Sequence, residues 1–292
     1  MFADLHLHTH FSDGTFTPEE VAVRAVAQHL CAVALTDHDT VEGCASMVEA
    51  CARAGLELIT GMELTCELDG NEIHLLGYCI DTRHPRLLVE LTRFQVVRQN
   101  RIREMVALLN GLNIPLAAET VFALANCRSP GRPHVARALV QSGLCGSLDE
   151  AFDRFLKKHR PAWVPKFKMS AMDAIELIHE SGGLAVFAHP GLNRADDLIP
   201  ALVEARLDGI ECFHTKHSTS TAEHYLMLAD KHGLLVTGGS DCHGMNKGKP
   251  LIGTVKLPYE YVARLKAQAA LGGGAGATPL PVDSGLASPV IV

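Results

Sequence analysis

No two of the nine cysteines form a C-x-x-C pair, and their number is odd, which excludes a paired disulfide framework. Most lie within apolar runs, as Cys31, Cys79 and Cys212 do, where a thiol serves as a small core residue and a reducing compartment is implied. No stretch is long and apolar enough to span a membrane. At the N-terminus Asp4, His6 and His8 interrupt the chain before any apolar signal segment can form, so the cytoplasm is the expected location. Positive charge is not in excess either. A formal net charge of -7 excludes a general nucleic-acid binder working by phosphate neutralisation, but not a site that grips one or two phosphates locally. What the chain has in quantity is apolar residues, 47%, ample for a sizeable core, and histidine, 16 in 292 residues. Its length suits one large domain or two ordinary ones.

Phe2 to Leu7 reads as a short strand that ends where the histidines begin. Residues two apart on a strand share a face, so His6 and His8 project together, and a polar turn with Asp13 and Gly14 follows. Thr17, Pro18 and Glu20 make a capping box that opens a helix from about Pro18 to His29. Cys31 to Leu35 is a buried strand ending at Thr36-Asp37-His38-Asp39, and Asp39 and Glu42 are expected to cap a helix that stops at Gly55. Leu56 to Thr60 is a third strand, closed by Gly61-Met62-Glu63. Leu64 to Leu68 and Glu72 to Tyr78 flank a hairpin turn at Asp69-Gly70-Asn71, with His74 on the second arm.

From about Arg83 to Pro165 the strand-like alternation disappears. A helix from Pro85 to Leu109 carries Arg98, Asn100, Arg101 and Arg103 on its polar side, and shorter helices follow at 117–125, 134–142 and 148–158. The strand–helix rhythm then resumes, with strands at 184–188 (ending in His189-Pro190), 209–213 (ending near His214) and 234–237 (ending in Gly238 to Gly244). Helices are expected at 170–181, 196–205, 219–232 and 260–271. This is an α/β barrel or sheet pattern in four parts: 1–82 and 166–271 as its two halves, 83–165 as an inserted helical domain able to cap the site, and 272–292 as a flexible Gly/Ala/Pro/Ser-rich tail.

Five successive strand ends therefore carry His6 and His8, Asp37 and His38, Glu63, His189, and Asp241 and His243. In a barrel of parallel strands such ends lie on one rim, where the active sites of these folds are built. One His or Asp at a strand end is ordinarily a turn residue or a cap; a set of five is not. Nitrogen and carboxylate donors without thiolate suit Mn, Zn or Fe(II), and the candidates outnumber the needs of one ion, so two or three divalent ions bridged by a carboxylate are expected. Closely spaced ions polarise a phosphoryl oxygen, generate hydroxide at neutral pH as the nucleophile and steady the leaving oxygen. Hydrolysis is the implied chemistry. Asp37 and Asp39 either orient a ligating histidine or cap the next helix, the latter being preferred for Asp39, whereas Ser12 is read as a turn residue and His10 and His29 as surface or boundary residues.

The runs D-L-H-L-H-T, T-D-H-D, G-M-E, H-P and S-D-x-H, in that order, resemble the PHP (polymerase and histidinol phosphatase) metallophosphoesterase family over most of residues 1–265. In the insert, Arg98 through Arg101, Gly131-Arg132-Pro133-His134 and the helix around Phe152 resemble the nucleoside 3',5'-bisphosphate phosphatases and related 5'-to-3' exoribonucleases. The resemblance implies a distorted (β/α)7 barrel with a helical insert and a cluster of up to three metals. It implies His6, His8, Glu63 and Asp241 around one metal, Asp13, His38 and His243 around a second, and Glu63 bridging to a third held by His74 and His189. Asp13, His38, Glu63 and His243 are the implied catalytic residues. Asp13 stands where some relatives have histidine, and Cys242 where they often have an aromatic; the thiol is expected to face the core.

Substrate phosphate needs cations outside the metal cluster. Arg101, Arg132 and His134 of the insert, with Lys216 and His217 after the 209–213 strand, are the candidates. Arginine's planar fork donates two parallel hydrogen bonds to phosphate, and Pro133 stiffens the turn that carries Arg132 and His134. The expected activity is hydrolysis of a phosphomonoester of a small nucleotide, a nucleoside 3',5'-bisphosphate, with one phosphate on the metals and the other held by the insert. Alternatives are a 5'-to-3' exoribonuclease trimming short RNA and a histidinol-phosphate-type phosphatase, for which the arginine-bearing insert would be surplus. From another class comes a catalytically degenerate, metal-stabilised binding domain, against which the complete ligand set argues. No membrane and no stable protein partner are implied.

Overall fold

The computed structural model describes residues 1–192, 195–246, 248–272 and 290–291. The chain begins β1 (Phe2–Leu7), α1 (Pro18–Ala27), β2 (Leu30–Leu35), α2 (Cys44–Ala54), β3 (Glu57–Leu68) and β4 (Asn71–Tyr78). Four helices follow: α3 (Pro85–Gly111), α4 (Ala118–Ala125), α5 (Arg132–Gln141) and α6 (Leu148–Ala151). The last part runs β5 (Met169–Ser170), α7 (Ala171–Glu180), β6 (Leu184–Phe187), α8 (Ile199–Glu204), β7 (Gly209–His214), α9 (Thr219–His232), β8 (Leu235–Gly239), β9 (Val255–Pro258), α10 (Tyr259–Ala270) and β10 (Val290–Ile291).

The apolar strands β2 and β6 are covered on both faces, as their unbroken hydrophobic runs require, and β7 is buried along its whole length although it carries Glu211. β1, β2 and β3 pair in parallel, β4 returns antiparallel between β3 and β6, and β6, β7 and β8 are again parallel. At the rim β8 meets β1 through a bridge between Leu7 and Cys242, so the sheet closes on itself. Below that bridge β9 pairs antiparallel with β1, opposite Phe2 and Ala3, and fills the seam. The result is a nearly closed mixed barrel with one strand more than the seven the resemblance implies. Gly239 lets the seam close: a Cβ there would lie 2.3 Å from the Cβ of His6.

α1 starts as its capping box demands, with Glu20 N donating to Thr17 Oγ1 at 3.2 Å and Thr17 N donating to Glu20 Oε2 at 2.9 Å. It ends at Ala27 because His29 turns left-handed, at φ 59°. Three other expectations need correction. The strands read at 56–60 and 64–68 are one continuous strand, β3, because its second half pairs with β4 once β2 has ended. Glu63 thus sits mid-strand at rim height, bridged to His38, not at a strand end. The helix read at 148–158 is one α-turn followed by a π-turn over Phe152–Leu156. The tail's Val290–Ile291 adds an edge strand to β9, and the remainder of 273–292 lies outside the described residues.

Apolar packing falls into two clusters. One spans the barrel and its outer helices and reaches Leu87 and Leu91 at the start of α3. The other runs from Ile102 to Val164 and joins the far end of α3 to α4, α5 and the π-turn. α3 therefore belongs to both cores, its first turns seated on the barrel. Arg98 and Arg101, expected on its polar side, are buried between the two.

Candidate metal centre

Alternation along β1 places Asp4, His6 and His8 on one face and Leu5 and Leu7 on the other. The His6 and His8 rings converge on Glu63 from β3 and Asp241 after β8: His6 Nε2 lies 3.4 Å from Glu63 Oε2 and 3.6 Å from Asp241 Oδ1, and His8 Nε2 lies 3.3 Å from each. His38 Nδ1 reaches Glu63 Oε2 at 3.0 Å, while His74 Nδ1 and His189 Nε2 reach the other oxygen, Oε1, at 2.7 and 3.1 Å. His243 closes the group, 3.2 Å from Asp13 Oδ1 and 3.4 Å from Asp241 Oδ1. All nine expected ligands therefore fall in one cluster, five of the histidines against Glu63 and the rest joined through Asp241 and His243. His189 and Asp241 are held there in left-handed backbone, at φ 29° and 52°, strain that such side chains carry only where the surroundings impose it.

The arrangement fits divalent ions on its own chemistry. His6 Nε2, both ring nitrogens of His8, His38 Nδ1, Asp13 Oδ1 and Glu63 Oε2 are buried without a hydrogen-bond partner, and each such group costs about 1–3 kcal/mol if nothing satisfies it. Four sets of donor atoms lie within 4.8 Å of one another: His8, Asp13, His38 and His243; His6, His8 and Asp241; His6, Glu63 and His189; His38, Glu63 and His74. Ligands about 2.1 Å from a common ion stand roughly 3–3.5 Å apart, the spacing observed. Burial raises the Glu63 carboxyl, but His38, His74 and His6 outweigh it and hold it well below the usual range. Burial keeps His38 well below the ordinary imidazole value. Burial lowers His6, His189 and His243 as well, but the neighbouring carboxylates outweigh it and raise all three, His243 to about 9, so a divalent ion would displace protons from these rings as it binds.

Residues outside the expected ligand set hold these side chains in place, and of them Glu211 and Asp4 were not singled out from the sequence. Glu211, fully buried on β7, accepts from His6 Nδ1 at 3.0 Å and from His189 N at 2.8 Å. The proton is thereby fixed on Nδ1 and Nε2 is presented to the site. The signal was a lone acid inside the apolar run of β7. His214 brings Nε2 to 3.5 Å from Asp241 Oδ2. Asp4 accepts from the backbone of Ser240 and Gly253 at 2.8 and 2.9 Å and ties the Asp241 loop to β1. Asp37 gathers Thr9 N, Thr9 Oγ1 and Ser12 Oγ at 2.7, 2.5 and 2.6 Å, so it shapes the turn that carries Asp13, and Ser12 is a buried part of that network. Asp39 does not cap a helix, since α2 begins at Cys44 after Gly43. It accepts from Thr65 N at 2.9 Å and from Arg98 Nε and Nη2 at 2.8 and 2.5 Å, pinning the insert to the rim. The Cys242 thiol is buried in the barrel core.

Beside the cluster is a cavity of ≈ 400 Å³ lined by Arg101, Arg132, Lys158, Lys166 and Lys168, with Glu67, Glu72 and Trp163. Its wall adjoins the metal donors: Lys166 Nζ bonds Thr65 Oγ1, Thr65 faces His74 across the β3–β4 ladder, and Glu72 lies 3.9 Å from His74 Nε2. Arg101 Nε donates to Val164 O at 2.9 Å and Arg132 Nη1 to Leu156 O at 3.3 Å. Burial and then the neighbouring Arg132 and Arg98 push Arg101 down to about 10. Burial and then Arg98 push Lys166 down to about 8. Cations this crowded await an anion. Lys166 was missed because an isolated lysine in an irregular segment gives no periodic signal.

Three of the expected phosphate-binding residues do not line this cavity. His134 is buried, receives Gly131 N on Nδ1 at 3.0 Å, and is pushed by burial and by Arg137 down to about 4, so it is a neutral cap of α5 and not a cation. His217 donates Nδ1–H to Cys212 O at 2.8 Å and accepts from Gly191 N at 3.3 Å; both nitrogens are spent tying the His189 turn to β7. Lys216 is exposed and does not line the cavity.

The PHP domain profile matches residues 4–161. The 5'-3' exoribonuclease Rnm of Escherichia coli is 36% identical over 248 residues, covering 82% of this chain and 84% of that one. The 3',5'-nucleoside bisphosphate phosphatase of Chromobacterium violaceum is 35% identical over 264 residues, covering 87% and 92%. A solved structure described as a metal-dependent phosphoesterase of Bifidobacterium adolescentis superposes with a TM-score of 0.85 at 31% identity, covering 91% of this chain and 96% of that one. With the donor cluster at its rim, the chain belongs to the PHP domain family and is a hydrolase of phosphate esters.

Proposed function

We propose that this enzyme removes one phosphate from a nucleoside 3',5'-bisphosphate. The observation that carries the reading is the juxtaposition of two opposite poles. One is a pocket of carboxylates and imidazoles suited to divalent ions, and the other a cavity of arginines and lysines beside it. A substrate with two phosphates completes both.

In this reading His6, His8, Glu63 and Asp241 hold one ion, Asp13, His38 and His243 a second, and Glu63, His74 and His189 a third, with Mn, Zn or Fe(II) suited to such nitrogen and oxygen donors. When bound, the ions supply a nucleophile at neutral pH and neutralise charge on the phosphoryl group. Glu63 is the hub, since both its oxygens face imidazoles. Glu211 keeps His6 in the ligating tautomer, and Arg101, Arg132 and Lys166 hold the phosphate that stays. The Asp39–Arg98 pair fixes the distance between the poles.

A second reading, trimming of short RNA from its 5' end, draws on the exoribonuclease relative, for which the same cavity would hold the next phosphate of the strand. Among the described residues no helix is long and apolar enough to cross a membrane; the thiols of Cys44, Cys51, Cys66 and Cys212 packed in the core support residence in the cytoplasm. The test is phosphate release, with Mn and with a chelator, from nucleoside mono- and bisphosphates and 5'-phosphorylated oligoribonucleotides. Arg132→Ala should lose the preference for a second phosphate while still hydrolysing a generic phosphomonoester. Equal losses on both would remove the cavity from the mechanism.

A further inference from the structure

Trp163 is the single tryptophan of the chain, and its place is unusual for an indole. Its neighbours Ala162 and Val164 are buried members of the insert core, yet Trp163 belongs to neither apolar cluster. It is half-buried and lines the cationic cavity, the one aromatic side chain among the residues that do so. The backbone holds it firmly. Ala162 N donates to Phe155 O at 3.0 Å, Trp163 N donates to Arg160 O at 2.9 Å, and Val164 O receives Arg101 Nε at 2.9 Å. The arginine that would grip a phosphate thus also fixes the residue next to the indole.

A large apolar ring kept out of the core normally has a partner, because burying it would otherwise stabilise the fold. In a cavity with five cationic side chains, phosphate oxygens satisfy the cations but not the indole, whose ring neighbour His159 is tilted 41° to it at 6.1 Å and does not stack on its face. A nucleobase covers it. Stacked aromatic platforms beside basic residues are how proteins hold single nucleotides without reading their identity, and ≈ 400 Å³ falls within the range of sites that enclose a ligand of that size.

We propose that Trp163 is the stacking platform for the substrate's nucleobase, so that the cavity selects a nucleotide over a sugar bisphosphate with little preference among bases. This rests on the nucleotide reading above and adds the group that tells a nucleotide from any other doubly phosphorylated molecule. Glu67 and Glu72 at the cavity edge are engaged by Lys168, at 3.1 and 3.8 Å, and so leave the indole as the surface offered to a base.

Because the indole is unique, emission excited at the red edge, where the four tyrosines do not absorb, reports this site alone. Adenosine 3',5'-bisphosphate should quench it within the first turnover on the metal-loaded enzyme, and the abasic analogue, 1-deoxyribose 3,5-bisphosphate, should not. In steady state the wild type should prefer the adenosine compound over the abasic one. Trp163→Ala should reduce that preference roughly 5- to 150-fold, the worth of one base–aromatic stack, chiefly through KM, and Trp163→Phe should keep most of it. Equal quenching by both compounds, or a preference unchanged in Trp163→Ala, overturns the platform. Emission needs no hydrolysis, so a quench without phosphate release would sink the phosphatase reading and leave the platform standing.

Discussion

The contact that seats the insert on the barrel is open to a quantitative test. Arg98 from α3 sends Nε and Nη2 to one oxygen of Asp39, at 2.8 and 2.5 Å, with side-chain exposures of 7% and 0%. Removing one partner of such a buried pair strands the other charge and costs about 3–5 kcal/mol. Arg98→Met, which keeps the aliphatic bulk, should cost that much, and Asp39→Asn should cost a similar amount by leaving the guanidinium unpaired. The double variant strands no charge, and its amide can still accept from Thr65 N, so it should lie within about 1–2 kcal/mol of the wild type. Against a total stability on the order of 5–15 kcal/mol these differences are large. Urea unfolding followed by far-UV circular dichroism, with the slope checked for constancy, gives the cycle, and Trp163 emission reports whether the insert is released first. If Arg98→Met costs under about 1 kcal/mol, or the double variant is no more stable than the weaker single one, the pair is not what docks the insert.

Other outcomes follow from single contacts. Gly239→Ala would force a Cβ to 2.3 Å from that of His6, so metal content after dialysis should fall sharply while the circular dichroism spectrum stays barrel-like. Glu211→Gln should lower metal affinity about 10- to 100-fold by weakening the acceptor of the His6 Nδ1 proton, measured by competition with a fluorescent chelator. Lys166, at about 8, carries its charge below that value and loses it above. KM for the bisphosphate should therefore rise as pH passes 8 upward, and Lys166→Arg, charged throughout, should remove that limb of the profile.

The convergence of the candidate donors was legible because strand geometry repeats. Alternation on β1 and the gathering of strand ends on one rim suffice to bring His6, His8, His38, His189, Asp241 and His243 together. Glu63 was found for an incorrect reason, since β3 runs on through it into the hairpin with β4. Supporting residues were harder to see. Asp39 looked like a cap because a short acid before a helix usually is one, but its true partner lies 59 positions away on α3. His134 and His217 looked like cations because a sequence does not show burial, and burial is what keeps both rings neutral. Glu211 carried a signal, an acid inside an apolar strand, which a buried chain retains only when a partner awaits it.

The net charge of -7 conceals how unevenly the charge lies. Carboxylates of β3 and the β8 loop accumulate where cations must come from solution, and the basic side chains of the insert accumulate where anions must. Asp39 and Arg98 are already paired with each other. Each pole keeps its field for a ligand, ions on one side and phosphate on the other, and the two ligands attract each other across the boundary. A substrate with a single phosphate meets only the ions and leaves the basic cavity uncompensated. A substrate with two removes both deficits at once, so selectivity for the second phosphate should come from the insert and should weaken as salt screens the exposed part of the cavity.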